Sequence, residues 1–217
     1  MREEDQNAQD AREDYAMLAG LPAETLPFEP LCKSVTGRLP WLLLLFLLGL
    51  FVSGVVGVFE RVVERLSVIV SFQSLILGMA GNAGTQSLAV TVRTLSDATL
   101  DATQKRAITR REALIGLCNG VLVGALSFLS VGLYLYLLRG ETVALAFSVS
   151  FCVALALFVS MLLSGISGAI IPLVLSRVGI DPAVASGPFI TTLSDLVAVA
   201  AYYGLAWCFL LSRFAAA

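Results

Sequence analysis

The sequence predicts an all-α integral membrane protein, a bundle of five transmembrane helices. Three observations predict it. The chain is 58% hydrophobic and only 14% charged, whereas soluble domains sit near 45–50% apolar and about 25% charged. Its mean hydropathy is +0.88. Its charges gather between long uncharged runs, and a run of about 20 apolar residues is enough to cross a bilayer as a helix.

The elements follow in order. Residues 1–38 form a short acidic head and linker with eight acidic and four basic residues. Asp10–Leu18 can make a short helix, Pro22, Pro27 and Pro30 interrupt the chain after it, and Glu29–Thr36 can lie as an amphipathic helix on the membrane surface. The membrane domain occupies 39–217. Its first span covers about Leu39–Phe59 and the second about Leu66–Val92. The third covers about Ala113–Leu138. The fourth, about Thr142–Ser176, is long enough to tilt or break, and Ser164, Gly165, Gly168 and Pro172 permit a kink. The fifth, about Ala183–Leu211, is interrupted by Pro188.

Composition removes several function classes. A net charge of −2 leaves no basic footprint for nucleic acid. Histidine is absent, and with it the commonest acid–base and transition-metal side chain. Cys32, Cys118, Cys152 and Cys208 form no CxxC pair and read as scattered buried thiols. The acidic, polar first 30 or so residues do not resemble a signal peptide, so the first span is expected to act as its own insertion signal.

Basic residues predict orientation. The loop after the second span carries Arg93, Lys105, Arg106, Arg110 and Arg111, against Arg61, Arg65 and Arg139 at the other ends of the spans. The bias predicts a multi-pass protein of the cell (inner or plasma) membrane with a cytoplasmic N-terminus and an outside C-terminus.

Asp195 is the most informative residue. It lies about twelve residues into the fifth run beside Thr191 and Thr192. A central carboxylate costs a few kcal/mol in a bilayer even on lenient scales, and such residues serve ion or proton pathways. A buried Asp satisfied by helix hydroxyls is the plain alternative. No Lys or Arg lies deep in any span to pair with it.

The second feature is the run Gly78-Met79-Ala80-Gly81-Asn82-Ala83-Gly84-Thr85-Gln86 within the second span. Its glycines suit close helix packing, or a local unwinding that turns carbonyls toward a cavity. Asn82 and Gln86, four apart, share one face. A packing seam with polar side chains as glue has the same composition. The third feature is Asp181-Pro182, a turn or N-cap, followed by Gly187-Pro188. A proline ring there breaks the helix and frees carbonyls for a cation or its waters; a kink without an ion role fits equally. Glu60 and Glu64, interleaved with Arg61 and Arg65, read as a solvated helix end or as a cation-attracting rim.

At these residues the sequence resembles the transmembrane domain of the MgtE family of magnesium channels. Gly81-Asn82-Ala83-Gly84-Thr85-Gln86 and Asp181-Pro182 through Ser186-Gly187-Pro188 to Thr192-Leu193-Ser194-Asp195 carry the resemblance, supported by Arg38-Leu39-Pro40-Trp41 and Phe59-Glu60. The resemblance implies a homodimer in the lipid bilayer with a pore on or near the two-fold axis, and magnesium as the transported ion. It implies metal ligation by Asp195 from both protomers; Asn82, whose neutral amide oxygen suits hydrated magnesium, is the second candidate metal residue. Gly78, Gly81, Gly84, Thr85, Gln86, Gly187, Pro188, Thr191 and Thr192 become candidate pore-lining or helix-break positions. Some members carry Asn where this chain has Gly187 or Thr85. Typical members also carry a cytosolic helical domain and a CBS pair. Asp10–Gly20 resembles the last segment of such a CBS domain, and Glu29–Gly37 the helix connecting it to the pore.

The implied function is passage of hydrated magnesium down its electrochemical gradient, not an enzymatic reaction. Magnesium sheds water reluctantly and keeps several waters, so few direct ligands suffice. The alternative is an ion-coupled secondary transporter for another cation in which Asp195 cycles its protonation. With no full sensor domain in the 217 residues, the isolated chain is expected to conduct without steep inhibition by internal magnesium.

Overall fold

The computed structural model describes residues 30–97, 101–179, 182 and 186–211. Its elements are α1 (Leu31–Val58), α2 (Glu60–Arg65), a 3-10 turn (Ser67–Ile69), α3 (Val70–Asp97), α4 (Ala102–Leu137), α5 (Val143–Arg177) and α6 (Gly187–Ala206), which runs on into a π turn at Trp207–Leu211. No strand occurs among the described residues. Five of the helices are long and apolar enough to cross a membrane. The helix expected at Asp10–Leu18 lies outside the described residues.

The first span starts earlier than the sequence suggests. Leu31–Val58 is one helix with Pro40 inside it, so the expected surface helix and first span are continuous. Pro40 removes the N–H that would reach the Thr36 carbonyl. The Thr36 hydroxyl donates back to the Cys32 and Lys33 carbonyls, at 2.9 and 3.1 Å. No residue of α1 is buried. It runs parallel to α6, with Trp41 against Phe189 (ring centroids 6.3 Å apart) and Phe59 stacked on Tyr203 (6.0 Å).

The core lies where α3, α5 and α6 meet. Ile76, Val153, Leu157 and Val199 are fully buried there. Two hydroxyls tie α6 to the start of α3: Tyr202 donates to the Ile69 carbonyl at 2.8 Å, and Tyr203 donates to Gln73 Oε1 at 2.6 Å. In lipid such bonds satisfy groups that water does not reach.

α4 and α5 pack antiparallel along a glycine seam. Gly116, Gly120 and Gly124 are four apart on one face of α4. A Cβ on each would lie 3.0 Å from a backbone carbonyl of α5: Met161, Phe158 and Ala154 respectively. Close backbone approach at small residues is how helices associate where the solvent is as apolar as the side chains. Further along, the Ser150 hydroxyl donates to the Phe128 carbonyl.

α5 is one continuous helix through the buried Pro172, so of the tilt or break expected of this long span the break does not occur. Its small residues serve a crossing instead. The Ser87 hydroxyl of α3 donates to the Gly165 carbonyl at 2.7 Å, and a Cβ on Gly168 would collide with the Gly84 carbonyl. The fifth span is also corrected: α6 begins at Gly187 and holds Pro188 in its first turn, so Pro188 starts the helix instead of interrupting it. A first-turn proline loses no hydrogen bond, because that N–H has no helical acceptor. Of the cysteines, Cys152 alone is buried, while Cys32, Cys118 and Cys208 are exposed on the isolated chain.

Candidate ion site

Asp195 lies two turns into α6 and is half-buried. Its position is set by contacts on either side. Ser194 is buried against Gly84 of α3, where a Cβ would lie 2.7 Å from the Ser194 hydroxyl oxygen. Thr191, one turn back, places its methyl against Gly81, where a Cβ would lie 2.9 Å away. Two glycines thus let α3 sit directly on the face of α6 next to Asp195. Among the described residues Asp195 has no hydrogen-bond or ion-pair partner. The Ser194 hydroxyl beside Gly84, and that of Ser164, whose backbone carbonyl faces Gly84, are likewise buried without a partner among them.

The glycine-rich run is split between two faces. α3 is helical throughout Val70–Asp97, so the run packs closely and does not unwind. Gly81 and Gly84 are buried. Gly78, Asn82 and Gln86, each four apart, lie exposed on the opposite side, and a Cβ on Gly78 would meet nothing within 4 Å. Thr85 is half-buried and its hydroxyl donates to the Gly81 and Asn82 carbonyls, both at 3.1 Å.

The carbonyls expected to be freed at Gly187-Pro188 are not produced by a helix break, because Pro188 stands in the first turn. The Thr192 hydroxyl donates to the Pro188 carbonyl at 2.9 Å. Gly187 and Pro188 are half-buried at the end of α6, two turns before Asp195. Asp181 lies outside the described residues. Glu60 and Glu64 are both exposed on α2, whose Val62 is buried.

The chain places Asp195, Thr191, Gly81 and Gly84 together, and sets Asn82 and Gln86 on an uncovered face of the neighbouring helix. Among the described residues no three acidic or thiol side chains converge on one point. A cation at Asp195 within one chain would therefore meet a single carboxylate and neutral oxygens.

Two features escaped the sequence reading. The Gly116-Gly120-Gly124 seam was legible as a four-residue repeat of glycine. Glu112 stands one turn before it on the same face and is buried, 5% exposed. A Cβ on Gly165 would lie 3.4 Å from the Glu112 backbone carbonyl. Its signal was the same spacing, carried one step toward the basic loop.

Comparison with known proteins bears on the same segments. The family model MgtE, described as a divalent cation transporter, matches residues 73–205, from α3 through α6. The chain is similar to the magnesium transporter MgtE of Enterococcus faecalis, 37% identical over 201 residues covering 93% of this chain and 42% of that protein. It is similar to the magnesium transporter MgtE of Bacillus subtilis, 32% identical over 204 residues, 93% of this chain and 43% of that one. To its Thermus thermophilus counterpart it is 32% identical over 169 residues, 78% of this chain and 35% of that protein. The chain thus spans about two-fifths of the length of these relatives. With the match running through the glycine face of α3 and the Asp195 turn of α6, the chain belongs to the MgtE family of divalent cation transporters.

Proposed function

We propose that this chain is the ion-conducting part of a magnesium channel or transporter, and that two copies form the pore. The observation that carries the reading is Asp195: a carboxylate inside a spanning helix, with no cation beside it among the described residues. A carboxylate so placed is unfavourable in lipid unless it faces a partner or a water-filled path. A second copy facing it across a two-fold axis supplies a second Asp195, and the pair holds one hydrated divalent cation between them.

The uncovered stripe of Gly78, Asn82 and Gln86 supports the same reading. Amide oxygens suit the outer waters of magnesium, which binds through few direct ligands and keeps its hydration. The relatives' name supports magnesium as the ion. The excess of basic residues at the Arg93–Arg111 end supports placing that end in the cytoplasm, with the C-terminus outside, in the cell membrane.

The test is magnesium uptake into proteoliposomes, at constant pH and without sodium, for the wild type and Asp195→Asn. The expected result is uptake by the wild type and strongly reduced uptake by a variant that remains folded and dimeric. Equal uptake by both would remove Asp195 from the pathway. Uptake that needs a proton or sodium gradient would identify a coupled transporter instead.

A further inference from the structure

A second site lies away from Asp195, at the end of the bundle where α4 begins and α5 ends. A cleft of about 420 Å³ opens there between the two helices. Lys105, Arg106 and Arg110 of α4 line one side, with Thr109 among them, and Arg177, the last residue of α5, lines the other. Lys105, Arg106, Thr109 and Arg110 recur at a spacing that puts them on one helix face. Among the described residues none of these four cations has an ion-pair partner. No carboxylate lines the cleft. Four like charges held around one opening without a counter-charge call for an anion.

The rest of the lining is apolar. Leu173 is buried at the base, and Ile170 and Val174 are 41% and 48% exposed. Ile170, Val174 and Arg177 follow one another at helical spacing along α5, so a single stripe runs from an apolar, membrane-embedded surface to a guanidinium. A small soluble anion would use only the charged end. A phospholipid uses both, with its phosphate among the cations and its first methylenes along Val174 and Ile170.

The level of the cleft fits. At about 1.5 Å per residue the 36 residues of α4 span roughly 54 Å, well beyond a hydrocarbon core of about 30 Å. The uncharged stretch of α4 starts after Glu112. Lys105–Arg110 therefore sit at the depth of the lipid headgroups. Arginine pairs with phosphate through two parallel N–H···O bonds, and basic pockets between spanning helices hold anionic headgroups in this way.

We propose that this cleft binds the phosphate headgroup of an anionic phospholipid of the bilayer, clamping the α4 start to the α5 end. The site uses neither α3 nor α6, so it stands or falls independently of Asp195.

The test is native mass spectrometry of the purified full chain in detergent doped with equal amounts of phosphatidylglycerol and phosphatidylcholine. The wild type is expected to retain phosphatidylglycerol preferentially. Arg110→Gln combined with Arg177→Gln is expected to cut that preference by about thirtyfold, the scale of two cations at a charged surface. Arg61→Gln, at an exposed position of α2, is expected to leave it intact. Equal retention of the two lipids by the wild type, or an undiminished preference in the double variant, overturns the proposal. Displacement of the lipid by millimolar inorganic phosphate identifies a soluble-anion site and overturns the lipid assignment. If the double variant does not fold, a photoreactive phosphatidylglycerol decides on the wild type: labelling confined to 105–110 and 170–177 supports the site, and labelling elsewhere refutes it.

Discussion

Gly84 and Ser194 stand so close that a Cβ on Gly84 would lie 2.7 Å from the Ser194 hydroxyl oxygen and 2.9 Å from Ile190 Cγ2. The contact fixes the distance between α3 and α6, and Asp195 is the next residue along. Sequence, packing and proposed function meet at this one position. The absence of a side chain on α3 permits the approach, and the approach sets where the intramembrane carboxylate stands.

Gly84→Ala should therefore destabilise the folded chain, by roughly 1–3 kcal/mol, the usual cost of forcing a methyl into a filled core. Gly81→Ala should act in the same direction, since its Cβ would lie 2.9 Å from the Thr191 methyl, but that is one close contact where Gly84 has two, so the cost should be smaller. Gly78→Ala should not destabilise, because nothing lies within 4 Å of its Cβ. Thermal unfolding of the three variants in one detergent checks the order. Equal melting temperatures for Gly84→Ala and Gly78→Ala would show that α3 and α6 do not meet as described.

The five spans were legible because lipid demands long apolar runs and rewards nothing else so strongly. Their ends were less so. The first span was expected to start at about Leu39, yet α1 runs from Leu31 straight through Pro40, well inside the helix, and does without the one hydrogen bond that an N–H there would make. Pro188 looked like a break, yet it stands where a helix starts. Both prolines have the same local chemistry, and only the neighbouring chain decides whether a helix passes through them. The glycine run showed a similar limit. The spacing of Asn82 and Gln86 placed them on one face, but which face turned inward depended on where Thr191 and Ser194 lay, more than a hundred residues away in sequence. The face that a second copy would cover has no signature within one chain beyond the polar residues left on it.

The glycine seam between α4 and α5 predicts a different phenotype from the α3–α6 contact. A Cβ on Gly120 would lie 3.0 Å from the Phe158 carbonyl oxygen and 3.1 Å from Phe158 Cα. Both are backbone atoms, which cannot turn aside as the end of a side chain can. Gly120→Leu should prevent the two helices from docking and yield little folded protein. Gly120→Ala should fold with a lowered melting temperature. Because neither helix carries Asp195, the folded fraction of Gly120→Ala should keep a magnesium uptake rate per folded molecule close to that of the wild type. Yield, melting temperature and uptake measured on the same preparations check this. A Gly120→Leu protein that folds and melts like the wild type would remove the seam as a structural element.

The last prediction separates stability from conduction. Asn82 and Gln86 lie exposed on α3, and no side-chain hydrogen bond within the described residues holds either one. Replacing them should leave the isolated fold almost untouched, since surface substitutions away from packing, caps and networks usually shift stability by less than about 0.5 kcal/mol. If their face lines the path of a hydrated cation, the same replacement removes amide oxygens that stand in for bulk water around it. Asn82→Leu and Gln86→Leu should then reduce magnesium uptake into proteoliposomes while the melting temperature in detergent stays within a degree or two of the wild type. Asn82→Gln, which restores an amide oxygen at slightly longer reach, should recover part of the uptake lost in Asn82→Leu. The control is Leu122→Ala, an exposed apolar position on α4, which should alter neither property. Loss of stability in Asn82→Leu in parallel with loss of uptake would assign the residue to packing. Unchanged uptake in both leucine variants would remove this face of α3 from the ion path and leave Asp195 without the amide shell proposed for it.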